Sequence, residues 1–287
     1  ADDLQGGGGN DTIEGGEGVD TLQGGAGADS LDGGEGIDTA TYTDASAGVT
    51  VSLAGGPGVG DVAEGDTLTA IENLTGSTFA DTLRGNAAAN SILGGKEGGD
   101  GSDTASYASS SGGGTVNLDT GSVSGGDAGG DTFDSIENLT GSTNQDSLTG
   151  DDNANVLDGG ANNDVLVGAG GIDTLIGGSG NDTLRGGALG DSLQGGEGID
   201  TVDYAGSGVG VTINLDTNTA SGGDATGDTF SGVENITGSD QNDTLTGDDN
   251  DNTLLGGLLD DTLTGNGGAD VLDGGDGFDT ARYIDSE

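Results

Sequence analysis

Acidic side chains at a fixed nine-residue spacing are the chemically active feature of this sequence. Asp11, Asp20, Asp29 and Asp38 follow one another at that interval. So do Asp164, Asp173, Asp182, Asp191 and Asp200, and again Asp261, Asp270 and Asp279. Asp81, Asp103, Asp146 and Asp243 stand in related local sequences. Repeated carboxylates, with side-chain amides and glycine carbonyls beside them, make an all-oxygen donor set. Such a set suits a hard divalent cation, and Ca²⁺ is the candidate. The chain has no Cys and no His, which excludes thiolate sites, disulfides and the usual zinc ligand. It also removes the commonest general base. Serines then have no nucleophile-activating partner, and no enzymatic activity is expected.

The aspartates belong to a repeating frame, G-G-x-G-x-D-x-U-x, in which U is apolar. Residues 6–41 divide into GGGGNDTIE, GGEGVDTLQ, GGAGADSLD and GGEGIDTAT. Residues 159–203 give GGANNDVLV, GAGGIDTLI, GGSGNDTLR, GGALGDSLQ and GGEGIDTVD, and residues 256–282 add three more. Glycine at positions 1, 2 and 4 permits positive φ, so the backbone can turn sharply and aim carbonyls at one point. The position-6 Asp adds a carboxylate there. Positions 7 to 9 alternate, which places 8 inward and 7 and 9 outward. Each repeat is therefore expected to be a six-residue turn followed by a very short strand.

Composition says what such elements can build. Lys plus Arg total 4 against 52 Asp plus Glu, a formal charge of −48, and aromatics are 3% of residues. An ordinary core cannot form from this, so the chain stays unfolded unless something neutralises the acid. Four basic residues cannot engage a phosphate backbone, and nucleic acid is not an expected partner. No apolar run approaches the length of a membrane span. The opening ADDLQGG lacks a charged n-region and an apolar h-region, so no signal peptide is expected in it.

The nonapeptide frame resembles the calcium-binding repeat of the RTX (repeats-in-toxin, haemolysin-type) family, a nonapeptide β-helix repeat. The resemblance covers essentially the whole chain. It implies an all-β fold, a parallel β-roll or right-handed β-solenoid, in which two nonapeptides make one coil. It also implies that several Ca²⁺ ions sit between stacked turns, held by position-6 aspartates and backbone carbonyls. Carried onto this sequence, it pairs Asp11 with Asp29, Asp20 with Asp38, Asp164 with Asp182, Asp173 with Asp191, Asp182 with Asp200, and Asp261 with Asp279. Asn162, Leu189 and Leu259 replace the position-4 glycine, and calcium sites using those turns depart from the family pattern.

Three 34-residue inserts, 42–75, 107–140 and 204–237, interrupt the frame. Each opens on Tyr (Tyr42, Tyr107, Tyr204) and ends in [IV]-E-N-[LI]-T, after which Gly-Ser resumes the nonapeptide register. VTVSL, TVNL and VTINL within them read as strands by alternation. The pairs Asp61 with Asp66, Asp127 with Asp131 and Asp224 with Asp228 read either as a further calcium site or, preferably, as a solvated acidic loop. After each insert a degraded nonapeptide pair carries Asn90, Asn155 or Asn252 at the Asp position. These turns bind calcium weakly, or their amides bond the backbone. The Asn-Leu-Thr sequons read as coil residues rather than glycosylation sites.

The organisation expected is one continuous solenoid with nonapeptide blocks 1–41, 76–106, 141–203 and 238–282 alternating with the inserts, and 283–287 opening a further insert. Both ends fall inside the pattern, as expected of a segment of a longer array. The function expected is a calcium-dependent extracellular or cell-surface structural segment, of adhesin, surface-layer or filament type, with self-association as a further partner call. The alternative is a secretion and folding module of a type I-secreted enzyme whose catalytic domain lies elsewhere. Position 3 varies (Gly8, Glu17, Ala26, Glu35), so a regular ice-binding face is not expected.

Overall fold

The computed structural model describes residues 1–95 and 101–283. Residues 96–100 of the expected block 76–106, and all but Tyr283 of the further insert expected at 283–287, lie outside the described residues. The chain divides into two compact units, 1–143 and 144–287. Among the described residues there is no α-helix; strands and three short 3₁₀ turns make up the regular structure.

In the first unit, strand Thr12–Gly18 pairs in parallel with Ser30–Gly36, so that Thr12 meets Ser30 and Ile13 meets Leu31. Asp3–Gly8 pairs likewise with Thr21–Ala26. Partners lie eighteen residues apart, which is two nonapeptides per coil. Position 8 points inward: Leu22, Leu31 and Ala40 are fully buried, as are Leu74 and Leu83 further along. The second unit repeats the arrangement. Val156–Ala161, Thr174–Ser179 and Ser192–Glu197 stack in register on one side. Ser147–Thr149, Val165–Ala169 and Thr183–Gly187 stack on the other. Leu157, Leu166, Leu175 and Leu184 form the interior between them. Each coil adds only two such side chains, so stability depends on neighbouring coils.

The strands are longer than a three-residue reading of positions 7 to 9. Where nonapeptides stack without interruption they run for five to seven residues, through the next glycine pair. Gly7 pairs with Gly25 and Gly178 with Gly196. Glycine at positive φ still offers its backbone groups to the coil beside it, so the ladder continues through the bend. Position 2 has this conformation (Gly16, φ 94°), and so does position 4 (Gly18, φ 139°). Position 1 does not, and its need for glycine has another cause, described below.

Asn162, Leu189 and Leu259 adopt φ of 70°, 82° and 65°. The bulkier residues therefore accept the left-handed turn rather than abolish it. For leucine this conformation costs more than the chain entropy that glycine would lose on folding. Leu189→Gly is expected to raise stability by about 0.5–1 kcal/mol, measured as an upward shift of the denaturation midpoint in saturating calcium. An unchanged or lower midpoint would contradict the strain.

The inserts add strands to the roll instead of hanging from it. Thr39–Thr41 pairs directly with Asn73–Thr75, and Ser30–Gly36 with Thr67–Thr69. The intervening chain leaves strand Thr50–Ser52, which pairs ahead with Thr82–Arg84. In the second unit Thr201 meets Asn235, Ser192 meets Thr229 and Thr212 meets Thr244, at matching spacings. The sequon residue Asn73 accepts the backbone N–H of Ser91 at 2.9 Å, and Asn235 that of Thr253 at 2.8 Å. Both act as coil residues.

Candidate metal centre

Each position-6 aspartate stands immediately before a strand, so the turn delivers its carboxylate to the neighbouring coil. Its Oδ1 accepts the backbone N–H of the position-6 residue one coil earlier. Asp11 donates to Asp29 at 2.8 Å, Asp20 to Asp38 at 2.7 Å, and Asp164 to Asp182 at 2.8 Å. Asp173 donates to Asp191 at 2.8 Å, Asp182 to Asp200 at 2.7 Å, and Asp261 to Asp279 at 3.0 Å. All six pairs expected from the resemblance are thus adjacent. A second ladder runs through position 5, where Asn163 accepts the N–H of Asn181 at 2.9 Å and Asn181 that of Ile199 at 3.1 Å.

The other carboxylate oxygen is the chemically open atom. Oδ2 of Asp11, Asp20, Asp29, Asp38, Asp164, Asp173, Asp182, Asp191, Asp200 and Asp261 is buried and accepts no hydrogen bond. A buried oxygen left this way is costly. The position-1 glycine explains where it points. A Cβ on Gly159 would lie 2.5 Å from Asp164 Oδ2 and 2.8 Å from the Gly177 carbonyl oxygen. On Gly6 it would lie 2.7 Å from Asp11 Oδ2 and 2.7 Å from the Gly24 oxygen. Two acceptors therefore flank one small space with no donor between them. A hard cation with oxygen ligands resolves that arrangement. Among the described residues no three acidic side chains converge. A cation held here is shared between carboxylates and main-chain carbonyls.

Electrostatics agree with the geometry. Burial pushes the Asp164 and Asp191 carboxyls up to about 7, and those of Asp173 and Asp200 up to about 6. Neighbouring carboxylates add to the shift, while the N–H bonds to Oδ1 oppose it. Gly159→Ala is expected to cost at least about 2 kcal/mol, because the methyl fills the cradle. It should also lower calcium affinity at that turn. A wild-type calcium titration from this variant would disprove the assignment of the space.

The remaining candidates differ from these. Asp81 Oδ2 accepts the Ser77 N–H at 2.5 Å, and Asp243 Oδ2 the Ser239 N–H at 2.6 Å. The serine hydroxyls also donate, at 3.0 and 2.9 Å to Oδ1. These carboxylates are already satisfied by the protein. Asp146 follows the same Gly-Ser sequence, and its N–H donates to Asp164 Oδ1 at 2.7 Å. Asp103 accepts the Asp81 N–H at 2.8 Å, and burial raises its carboxyl to about 6. Asp270 accepts the Asn252 N–H at 3.0 Å. Asp279 is exposed.

Asn90, Asn155 and Asn252 bond the backbone. Their Oδ1 atoms accept the N–H of Asn86, Asp151 and Asp248, each at 2.8 Å. Nδ2 of Asn90 donates to the Glu72 carbonyl at 2.8 Å, and that of Asn252 to the Glu234 carbonyl at 2.7 Å. Against the position-1 glycines Gly85, Gly150 and Gly247, the amide Oδ1 stands where an aspartate leaves Oδ2 open, and there it accepts a backbone N–H.

Sequence reasoning misjudged one set of residues and missed another. Asp66, Asp131 and Asp228, the second members of the acidic pairs, are buried, so the solvated-loop reading is corrected for them. They continue the ladder, accepting the N–H of Asp29, Asn90 and Asp191 at 2.8, 2.8 and 2.9 Å. Tyr107 donates to Asp131 Oδ2 at 2.8 Å and Tyr204 to Asp228 Oδ2 at 2.6 Å. A phenol here does what nothing in the protein does at an ordinary turn. Tyr42 and Asp66 hold the equivalent places and interact, but their hydroxyl and Oδ2 do not reach the geometry of a formed hydrogen bond. Asp61 stays exposed, and the backbone N–H of Ser46 holds its carboxyl below the usual range. The second set is Glu72, Glu137 and Glu234, whose Oε2 atoms each accept the N–H of Asp38, Asp103 or Asp200 at 2.8 Å. The legible signal was an acid directly before a strand, as in Asp66-Thr67-Leu68 and Glu72-Asn73-Leu74.

Fold and site together define a parallel β-roll whose turns stack aspartate on aspartate around unsatisfied oxygens. The family model of the RTX calcium-binding nonapeptide repeat (4 copies) matches residues 5–40, 67–96, 126–166, 167–202, 228–263 and 260–281. These regions cover well over half of the chain, which belongs to that family. No curated protein matches it.

Proposed function

We propose that this chain is a calcium-dependent structural segment that works outside the cell, folding and stiffening as it takes up several Ca²⁺ ions. The observation that carries this reading is the buried Oδ2 atoms without a protein partner, most of them facing the same position-1 glycine as a backbone carbonyl of the next coil. The ions lie between the stacked pairs Asp11 with Asp29, Asp20 with Asp38, Asp164 with Asp182, Asp173 with Asp191, Asp182 with Asp200, and Asp261 with Asp279. The turns of Asp81 and Asp243, closed by serine, hold none. Metal affinity in such a chain is folding free energy, because the unfolded state presents no assembled site. Sites of this openness fill at extracellular calcium and empty at cytosolic calcium. RTX proteins are typically secreted, and the repeat occupies most of this chain. Its role is therefore mechanical, as part of an adhesin, surface layer or filament.

Equilibrium dialysis combined with limited proteolysis tests this. Several ions per chain and protease resistance are expected at millimolar calcium, with rapid digestion after chelation. A chain that binds no calcium, or resists protease equally without it, would end the proposal.

A further inference from the structure

The last ordinary turns before the first and third inserts are those of Asp38 and Asp200. Both side chains are fully buried, and Oδ2 of each is without a partner. A Cβ on Gly33 would lie 2.7 Å from Asp38 Oδ2 and would also meet the Ala70 carbonyl oxygen. On Gly195 it would lie 2.5 Å from Asp200 Oδ2 and meet the Gly232 carbonyl oxygen. Ala70 and Gly232 belong to the inserts. The same cradle seen between nonapeptides is thus rebuilt with an insert as its second wall.

The carboxylate that arrives there belongs to glutamate. Glu72 Oε2 accepts the Asp38 N–H, and Glu234 Oε2 the Asp200 N–H, both at 2.8 Å. An ordinary repeat spends six residues, Gly33 to Asp38, between position 9 of one nonapeptide and position 7 of the next. The insert crosses from Thr67–Thr69 to Asn73–Thr75 in three, Ala70, Ile71 and Glu72. Ser231 and Asn235 are likewise separated by Gly232, Val233 and Glu234. A turn that is three residues shorter needs a longer side chain to reach the same acceptor position.

We propose that Glu72 and Glu234 are cation ligands: each completes, with the carboxylate of Asp38 or Asp200 and an insert carbonyl, a calcium site that fastens the insert to the preceding nonapeptide block. This rests on the reading that ordinary turns bind calcium. A hydrogen-bond acceptor alone would need one oxygen and no charge. Glutamine supplies that, and glutamate brings the second oxygen and the charge that a Ca²⁺ ion requires.

The test is equilibrium dialysis of the full chain with calcium alone, comparing E72Q, E234Q and the double variant with D182N. Glutamine still accepts the Asp38 or Asp200 N–H, so circular dichroism at saturating calcium should be unchanged. Asn90, Asn155 and Asn252 show that the fold accepts an amide at the Asp182 position. Each glutamine variant is expected to bind one calcium fewer, the double variant two fewer, and D182N also fewer. If D182N loses calcium and the glutamine variants do not, the glutamates are hydrogen-bond acceptors only and this inference fails alone. If none of the variants loses calcium, the calcium reading of the turns fails with it.

Discussion

Removal of calcium at neutral pH is expected to unfold this chain almost completely, and millimolar calcium to restore it. Far-UV circular dichroism should lose its β signal on chelation. Small-angle scattering should show expansion towards the radius of gyration of an unfolded chain of this length, about 60 Å. The reason is the balance of forces along the roll. Each coil buries two small apolar side chains, such as Leu175 and Leu184, so hydrophobic burial per coil is modest. Against it stands a formal charge of −48, with carboxylates stacked on adjacent coils. Oδ2 atoms of ten nonapeptide aspartates are buried and accept nothing from the protein. On the order of a dozen Ca²⁺ ions would offset about half of the charge and satisfy those oxygens. A calcium-free sample with unchanged circular dichroism and radius would show that packing alone holds the roll.

Acid should partly replace calcium. In the metal-free fold, burial raises Asp164 and Asp191 to about 7 and Asp66, Asp103, Asp173 and Asp200 to about 6. The ordinary value of an aspartate in an unfolded chain is 3.8. The folded state therefore binds protons that the unfolded state releases. The resulting stability is fully present below the unfolded value and is lost as pH rises through 6 to 7. A calcium-depleted sample taken from about pH 8 to about pH 5 should regain β signal. Lower net charge acts in the same direction, so a variant separates the two causes. Asp164→Asn with Asp191→Asn should fold better than wild type without calcium at neutral pH and respond less to acid. The native asparagine turns supply the precedent, since Asn252 uses its amide to donate to the Glu234 carbonyl. A calcium-free chain indifferent to pH would contradict the burial of these carboxylates. Protons and calcium also compete, so the calcium midpoint should rise as pH falls below 7.

The nine-residue frame made much of the roll legible. Its period located the turns, its apolar position 8 the interior, and its aspartates the ladder. Strand length was less legible, because glycine at positive φ looks like a turn in sequence but pairs as a strand in the fold. The two roles of glycine were also merged. Positions 2 and 4 need the backbone conformation, whereas position 1 needs the absent side chain, and only the contacts of Gly6 or Gly159 reveal that.

What the sequence determined by itself is local and periodic: the turns, the inward leucines, the position-6 aspartates and the oxygen-donor chemistry; the coil of two nonapeptides and the six aspartate pairs came with the resemblance to the RTX repeat. The tertiary structure decided what depends on partners outside the period. Asp29 meets Asp66 at a separation of 37 and Asp38 meets Glu72 at 34, neither a whole number of coils. Serine, asparagine or tyrosine closes some carboxylate positions and leaves others open, a difference set by which atom faces Oδ2. The reason is physical. A repeat spacing specifies which residues share a face, but whether a buried oxygen is satisfied depends on the one neighbour that the insert brings beside it.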